Sequence, residues 1–297
     1  MTRYSLPPWL VLSRRRLSPI PLFLIFLFLS IVLTPSPKSL YSPSQDAIYN
    51  PLPQSPNHPT VEYSIIVPAY KERTNIRPLV ETIFKDLGPG NTQTGISTIG
   101  SKTEVLIIDD DSQDGTDQQV EQLRQEGFMV ELITRKDIGK RDKFSGLSGA
   151  VLRGFEVARG QKLVVMDADL QHPPKTIPYL VAALSEKTPM AIGTRYGKGT
   201  LSSKWPLLRR IISWGARMLS RPLTSASDPM TGFFAITKTA ILQSQPISAA
   251  GFKIALEILL KTPGASVPAE IPYDFGTRTS GSSKLGMKVM VKIGVGS

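Results

Sequence analysis

From Val61 onward, short apolar runs alternate with stretches in which apolar positions recur every three or four residues, and turn residues separate the two. Ser64–Val67, Glu104–Ile108, Val130–Thr134, Lys162–Met166 and Met190–Gly193 predict strands, the fourth carrying the apolar run Leu163–Met166. Between them, Asn75–Asp86, Thr116–Gln125, Ser148–Ala158 and Ile177–Leu184 predict helices. A β-α-β-α order of this kind predicts an α/β fold, a mostly parallel central sheet with helices on both faces. Ligands of such sheets bind beyond the carboxyl ends of the strands, so the residues after each strand carry the candidate chemistry. Gly88–Lys102, rich in Gly, Thr and Ser without pattern, reads as a surface insertion.

Residues 1–60 lack this texture. Pro21–Leu33 is almost wholly apolar and follows the triplet Arg14–Arg16. At about 13 residues it is shorter than the ~20 of a comfortable bilayer span, which leaves a signal-peptide core, a short tilted anchor or an organelle presequence. Lys38–Pro59, rich in Pro, Ser and Asn, reads as a disordered linker. The expected organisation is therefore a leader over residues 1–60 and a single folded domain over 61–297.

Charge and composition narrow the chemistry. Of the net +11, the leader supplies +4 through Arg3, Arg14, Arg15, Arg16 and Lys38 against Asp46, which leaves +7 on the folded part and points to an anionic partner. Nucleic acid is disfavoured, because the charge is moderate and no groove-reading motif is present. Without cysteine, and with only His58 and His172, the chain has no disulfide scaffold, Cys nucleophile, thiolate zinc site or multi-His metal site. A metal here needs oxygen ligands, which favours Mg²⁺ or Mn²⁺.

The strand ends supply such ligands. After the first strand comes Pro68-Ala69-Tyr70-Lys71-Glu72, where Pro68 is expected to end the strand and Thr74 or Asn75 to cap the next helix. Tyr70 and Glu72 either are solvated turn residues or face a nucleotide base and ribose. The second strand ends in Asp109-Asp110-Asp111-Ser112-Gln113-Asp114, whose self-repulsion requires a cation, a ligand or donors to offset it. The fourth runs into Asp167-Ala168-Asp169-Leu170-Gln171-His172-Pro173-Pro174. Two carboxylates two apart share one side of an extended chain, and the amide oxygen of Gln171 can join them around one hard cation. The competing reading is a plain helix N-terminus. Further on, Arg195, Arg209 and Ser213 suit a second phosphate or form a basic solvated helix end. Asp228-Pro229-Met230-Thr231-Gly232-Phe233-Phe234 reads as a turn into an apolar strand, and Arg278 and Lys284 sit in a Gly/Ser-rich loop suited to closing over phosphates.

The ordered set P-A-Y-K-E-R, I-I-D-D-D-S-Q-D-G-T, M-D-A-D-L-Q-H, G-T-R-Y, W-P-L-L-R-R-I-I-S, D-P-M-T-G-F-F and S-G-S-S-K-L closely resembles the dolichyl-phosphate mannosyltransferases of the inverting glycosyltransferase family 2, over about residues 61–290. The resemblance implies a GT-A fold and transfer of mannose from GDP-mannose to dolichyl phosphate, serving glycosylation and GPI-anchor synthesis. It implies that Pro68, Tyr70 and Glu72 hold the guanosine end with Ile108 and Asp110 beside the base. Asp167, Ala168, Asp169 and Gln171 would form the metal and sugar-diphosphate site, with Asp169 and Gln171 the direct ligands of Mg²⁺ or Mn²⁺. Arg278 and Lys284 would close over the donor, and Arg195, Arg209 and Ser213 would bind the lipid phosphate. Asp169, Arg195, Arg278 and Lys284 are the residues expected to carry catalysis. Location at the endoplasmic reticulum membrane with the catalytic part on the cytosolic face, and small membrane regulatory subunits as partners, follow from the same resemblance. Ala69, Lys71, Asp111 and Gln113 depart from the usual pattern, and Asp137–Ser145 is longer than the common loop. The alternatives are a UDP-glucose-dependent glucosyltransferase acting on dolichyl phosphate and a non-catalytic protein that binds nucleotide sugars or membranes.

Overall fold

The computed structural model describes residues 40–41, 60–88, 99–135, 146–196, 218, 220–248 and 254–276. The chain divides into two units, Met1–Thr34 and Pro35–Ser297, and every described residue lies in the second. Among the described residues no helix is long and apolar enough to cross a membrane. The apolar segment Pro21–Leu33 lies outside them.

The order of elements is β1 (Leu40–Tyr41), β2 (Tyr63–Ala69), α1 (Arg73–Leu87), β3 (Thr103–Asp109), α2 (Thr116–Gln125), β4 (Val130–Thr134), α3 (Gly146–Val157), β5 (Lys162–Val165), α4 (Ile177–Ala182), β6 (Met190–Thr194), β7 (Phe234–Thr237), α5 (Lys238–Leu242), β8 (Ile247–Ser248), α6 (Ile254–Lys261) and β9 (Ala269–Pro272). The five strands predicted over 64–193 and the four helices predicted over 75–184 are present, with ends shifted by at most two residues, while the predicted basic helix of Arg209 and Ser213 lies outside the described residues. Seven strands form one sheet in the order β4-β3-β2-β5-β7-β6-β9, in which β7 runs antiparallel to β5 and β6 and every other pairing is parallel. Separately, β1 pairs antiparallel with β8, so strand pairing reaches into the stretch expected to be an unstructured linker.

The inner strands β2, β3, β5, β6 and β7 are mostly apolar and almost wholly buried because both faces are covered, whereas the edge strands β4 and β9 are partly exposed. Along β2, Ile65 and Val67 point to the layer of α1, α2 and α4, while Ile66 points to the layer of α3 and α6. Ile99 is 1% exposed in the first of these layers, and the Lys102 carbonyl accepts from Glu62 N–H at 2.9 Å. The tail of the predicted insertion is thus core, while residues 89–98 fall outside the described ones.

The sheet grows from β2 toward β4 in one direction and toward β9 in the other, so the topological switch point lies between β2 and β5. At that point Pro68 does not end β2, as expected, but sits inside it opposite Ile108 of β3. The Ala69 carbonyl accepts from Asp110 N–H on the β3 side, and the Ile66 carbonyl accepts from Met166 N–H on the β5 side. By that alternation Pro68 faces β5, where paired register stops at Ile66 and Val165. Its missing N–H therefore costs no ladder bond, and beyond Ile66 the two strands are left without a pairing that would close the crevice between them.

Candidate active site at the switch point

The β2 and β3 ends are built as one unit. The Lys71 N–H donates to Ser112 Oγ at 2.8 Å, and Ser112 N–H and Oγ–H both donate to the Asp109 carboxylate, the N–H at 2.8 Å. Asp114 accepts from Thr116 N–H (3.1 Å), Thr116 Oγ1 (2.7 Å) and Arg73 N–H (3.3 Å). It thereby serves the first turns of both α1 and α2. Burial opposes its charge, and these donors hold its carboxyl below the usual range. The expected cap from Thr74 or Asn75 is not used, since α1 begins at Arg73 and the Asn75 side chain donates to Glu72 Oε2 at 2.7 Å.

Asp110 receives the Arg135 guanidinium through Nε at 2.6 Å, and Arg135 Nη2 also donates to the Gly146 carbonyl at 3.2 Å. Burial pushes the Asp110 pKa up and Arg135 pulls against it. Much of the repulsion expected among these acids is thus offset by the protein's own donors. Pro68 and Ile108 lie in register, with Tyr70, 44% exposed, and Glu72 following in the same loop. The predicted nucleoside-side residues are therefore together.

Across the crevice, β5 leads into Asp167–Gln171. Asp167 is 41% exposed at its side chain, whereas Asp169 and Ala168 are buried. Asp169 Oδ1 accepts from Gln171 N–H at 3.1 Å. Gln171 is held from two directions: its Nε2 donates to the Gly276 carbonyl at 3.2 Å, and Gly276 N–H donates back to the Gln171 carbonyl at 3.0 Å. With Nε2 so committed, Oε1 is the end of the amide left to face a cation. Among the described residues no group of three or more His, Asp and Glu stands close enough to hold a metal. Within five consecutive positions the loop offers the Asp167 and Asp169 carboxylates and the Gln171 amide oxygen, hard donors of the kind that suit Mg²⁺ or Mn²⁺.

His172, not singled out from the sequence, is buried behind this loop. Its Nδ1 accepts the Asp167 N–H at 3.0 Å, and its ring stacks on Phe233 at 5.0 Å and meets Tyr273 and Phe275 edge-on. Burial pushes its pKa down to about 4, with Asp169 and Asp228 opposing and Arg195 assisting. Beside it lies Gly232, where a Cβ would stand 3.1 and 3.2 Å from the two Asp167 carboxylate oxygens and would make that carboxylate shift by a few tenths of an ångström.

Arg195, expected to meet the lipid phosphate, spends two donors inside the protein: Nε to Asp228 Oδ2 at 2.6 Å and Nη2 to Asp228 Oδ1 at 2.8 Å, with the guanidinium 5.5 Å from the Phe275 ring centre. Burial works against its charge and the bonds to Asp228 outweigh it. Asp228, read from sequence as a turn residue, is therefore what orients Arg195. Arg209, Ser213, Arg278 and Lys284 lie outside the described residues, as does Asp137–Ser145. Among the described residues, the four non-glycine ones with positive φ, Lys71, Asp111, Gln113 and Leu170, all sit on this rim.

In a sheet of this topology ligands bind at the crevice of the switch point, here between the loops after β2 and β3 on one side and the acidic loop Asp167–Gln171 on the other. The model described as "Glycosyl transferase family 2" matches residues 64–247, and the chain belongs to that family. Its curated relatives include "Dolichol-phosphate mannosyltransferase" of Mycosarcoma maydis, 48% identical over 236 residues that cover 78% of this chain and 76% of that one. The protein of the same name from Saccharomyces cerevisiae is 45% identical over 240 residues, covering 78% and 84%. Among solved structures, glucosyl-3-phosphoglycerate synthase from Mycobacterium tuberculosis, in complex with Mn²⁺, UDP-glucose and phosphoglyceric acid, superposes with a TM-score of 0.54 at 18% identity over 79% of this chain and 76% of that one. That likeness is one of fold, the GT-A arrangement.

Proposed function

We propose that this protein transfers mannose from GDP-mannose to dolichyl phosphate with inversion at the anomeric carbon, yielding dolichyl phosphate mannose. The observation that carries the reading is the placement of Pro68–Glu72 with Ile108 and Asp110 on one side of the switch-point crevice and Asp167–Gln171 on the other, in a chain 45–48% identical to two proteins named for that activity. Pro68, Tyr70, Glu72, Ile108 and Asp110 take the guanosine end. Asp167 and Ala168 lie against the sugar diphosphate, and Asp169 and Gln171 hold Mg²⁺ or Mn²⁺. A cation held by Asp169 and Gln171 would supply positive charge against the departing diphosphate.

The acceptor is already an anionic phosphate oxygen, so the protein needs alignment for in-line attack more than a strong base. The one imidazole among the described residues, His172, is buried with its Nδ1 given to the main chain, which agrees with that requirement. Arg195, turned by Asp228, joins Arg209 and Ser213 at the lipid phosphate, and Arg278 and Lys284, following Gly276 in the chain, close over the donor. Because a polyprenyl phosphate resides in a bilayer, the reading places the enzyme at the endoplasmic reticulum membrane with its site on the cytosolic face, aided by small membrane subunits. Its product then serves protein glycosylation and GPI-anchor synthesis.

The test is turnover by purified protein with Mn²⁺ or Mg²⁺, a short polyprenyl phosphate, and radiolabelled GDP-mannose or UDP-glucose in parallel. Label is expected in the lipid from GDP-mannose alone, and the double variant Asp169→Ala/Gln171→Ala is expected to lose metal-dependent transfer. Label from UDP-glucose instead, or full transfer by the double variant, refutes the assignment.

A further inference from the structure

We infer that His172 is a positioning residue for the cation-binding loop, acting through the main chain of Asp167; the inference rests on the reading of Asp167–Gln171 as the metal and diphosphate site. Four observations carry it. The Nδ1 of His172 accepts the Asp167 N–H at 3.0 Å, at the point where β5 ends and the loop begins. Nε2 stands 3.9 Å from Asp167 Oδ2, too far for a hydrogen bond, so the ring fixes the backbone of Asp167 rather than its carboxylate. The ring is 2% exposed and clamped by Phe233, Tyr273 and Phe275, which come from two other segments of the chain, so it cannot swing away. The Asp167 carboxylate itself lies against Gly232, one residue before Phe233 in the same turn that supplies the stacking ring. Backbone and side chain of Asp167 are thus both set from one aromatic box, and His172 Nδ1 holds the amide at which the loop leaves β5, while Gly276 holds its far end at Gln171.

The same box reaches Arg195, whose guanidinium lies 5.5 Å from the Phe275 ring centre while that ring touches His172 edge-on. A phenylalanine ring, somewhat larger than imidazole and without the acceptor, keeps most of the aromatic packing and loses the aim. An asparagine offers its Oδ1 near the place of Nδ1, keeping the acceptor and losing the packing. Partners that orient metal ligands from behind are worth about 10–100-fold in metal affinity or activity.

The experiment compares His172→Phe, His172→Asn and the unaltered protein by thermal unfolding and by Mn²⁺ titration followed by electron paramagnetic resonance, with and without GDP, alongside KM and kcat for GDP-mannose. His172→Phe is expected to unfold within a few degrees of the unaltered protein yet to bind Mn²⁺ in the presence of GDP at least ~10-fold more weakly. His172→Asn is expected to unfold at lower temperature while recovering most of the Mn²⁺ affinity below its transition. If the unaltered protein binds Mn²⁺ and both variants lose affinity only in proportion to lost stability, or neither loses any, this inference is wrong and the functional reading stands. An unaltered protein that binds no Mn²⁺ with GDP overturns both.

Discussion

Removing Asp228 should cost the fold and the acceptor site together. Its carboxylate is 2% exposed at the side chain and receives two hydrogen bonds from the Arg195 guanidinium, itself 17% exposed, and a longer one, 3.5 Å, from the Arg195 N–H. Breaking a buried pair from one side typically costs about 3–5 kcal/mol, because the remaining charge stays desolvated. In Asp228→Ala the stranded group is the guanidinium, which can regain some water, so the low end, about 3 kcal/mol, is expected. In Arg195→Ala the stranded group is the more deeply buried carboxylate, and the upper end applies. At ~2–4 °C per kcal/mol for a domain of this size, Asp228→Ala should lower Tm by roughly 6–12 °C. The double variant should lose less than the sum of the two, with a coupling on the order of 2 kcal/mol in a double-mutant cycle by urea unfolding. Transfer assays on the same proteins, at a temperature where each is folded, should show Asp228→Ala raising KM for polyprenyl phosphate about tenfold with little change for GDP-mannose. Additive single effects, or a loss for Asp228→Ala under 1 kcal/mol, would show that the pair does not form and that Arg195 stands open to ligand by itself.

Three further outcomes follow from the geometry. Glu104, fully buried at the amino end of β3, accepts from Ser64 Oγ (2.6 Å), Arg159 N–H (2.8 Å) and Arg159 Nε (2.7 Å), so Glu104→Ala should destabilise by about 3–5 kcal/mol in urea unfolding while kcat of the folded enzyme stays near that of the parent. Gly232→Ala forces a methyl against the Asp167 carboxylate and should weaken calorimetrically measured GDP-mannose binding in Mn²⁺ on the order of tenfold, with Tm little changed. The depressed pKa of His172, about 4 against 6.5, means that below pH 6.5 the unfolded chain takes up a proton that the folded one refuses. The associated stability is whole above pH 6.5 and lost as pH falls toward 4, about 3 kcal/mol in all. Urea midpoints of the metal-free protein should trace that decline, and His172→Asn should flatten it.

The parallel core was legible because β2, β3 and β5 are buried on both faces, so Ile65–Val67, Val105–Ile108 and Leu163–Val165 stand out as unbroken apolar runs. The direction of β7 was not legible, since an apolar run such as Phe234–Ile236 looks the same in either orientation. The acidic loop could be read because its ligand types are consecutive. Its supports could not, because Arg135 finds Asp110, Arg159 finds Glu104 and Arg195 finds Asp228 only through tertiary contact, 25, 55 and 33 positions apart. His172 follows Gln171 in an evident motif, but its role depends on Phe233, Tyr273 and Phe275, which no spacing rule links to it. Pro68 was misplaced as a strand terminator because a proline's tolerance in a sheet depends on which neighbour its missing N–H would have faced.

The left-handed residues of the rim have a consequence for exchange with solvent. Lys71, Asp111, Gln113 and Leu170 hold φ between 50° and 63°, a conformation that costs an L-residue with a side chain roughly 1–2 kcal/mol. The strain is thus gathered in the loops beyond β2, β3 and β5, while the strands beneath them carry the paired ladders. Local opening takes least free energy where strain is relieved by opening, so the amides of these loops should exchange with deuterium well before those of the strands. Occupancy by a nucleotide sugar stabilises only the closed rim, by about 2.7 kcal/mol at a hundredfold excess over Kd. Donor binding should therefore write itself as slowed exchange at Lys71, Asp111, Ser112 and Leu170, over a sheet whose own exchange by local opening is unchanged.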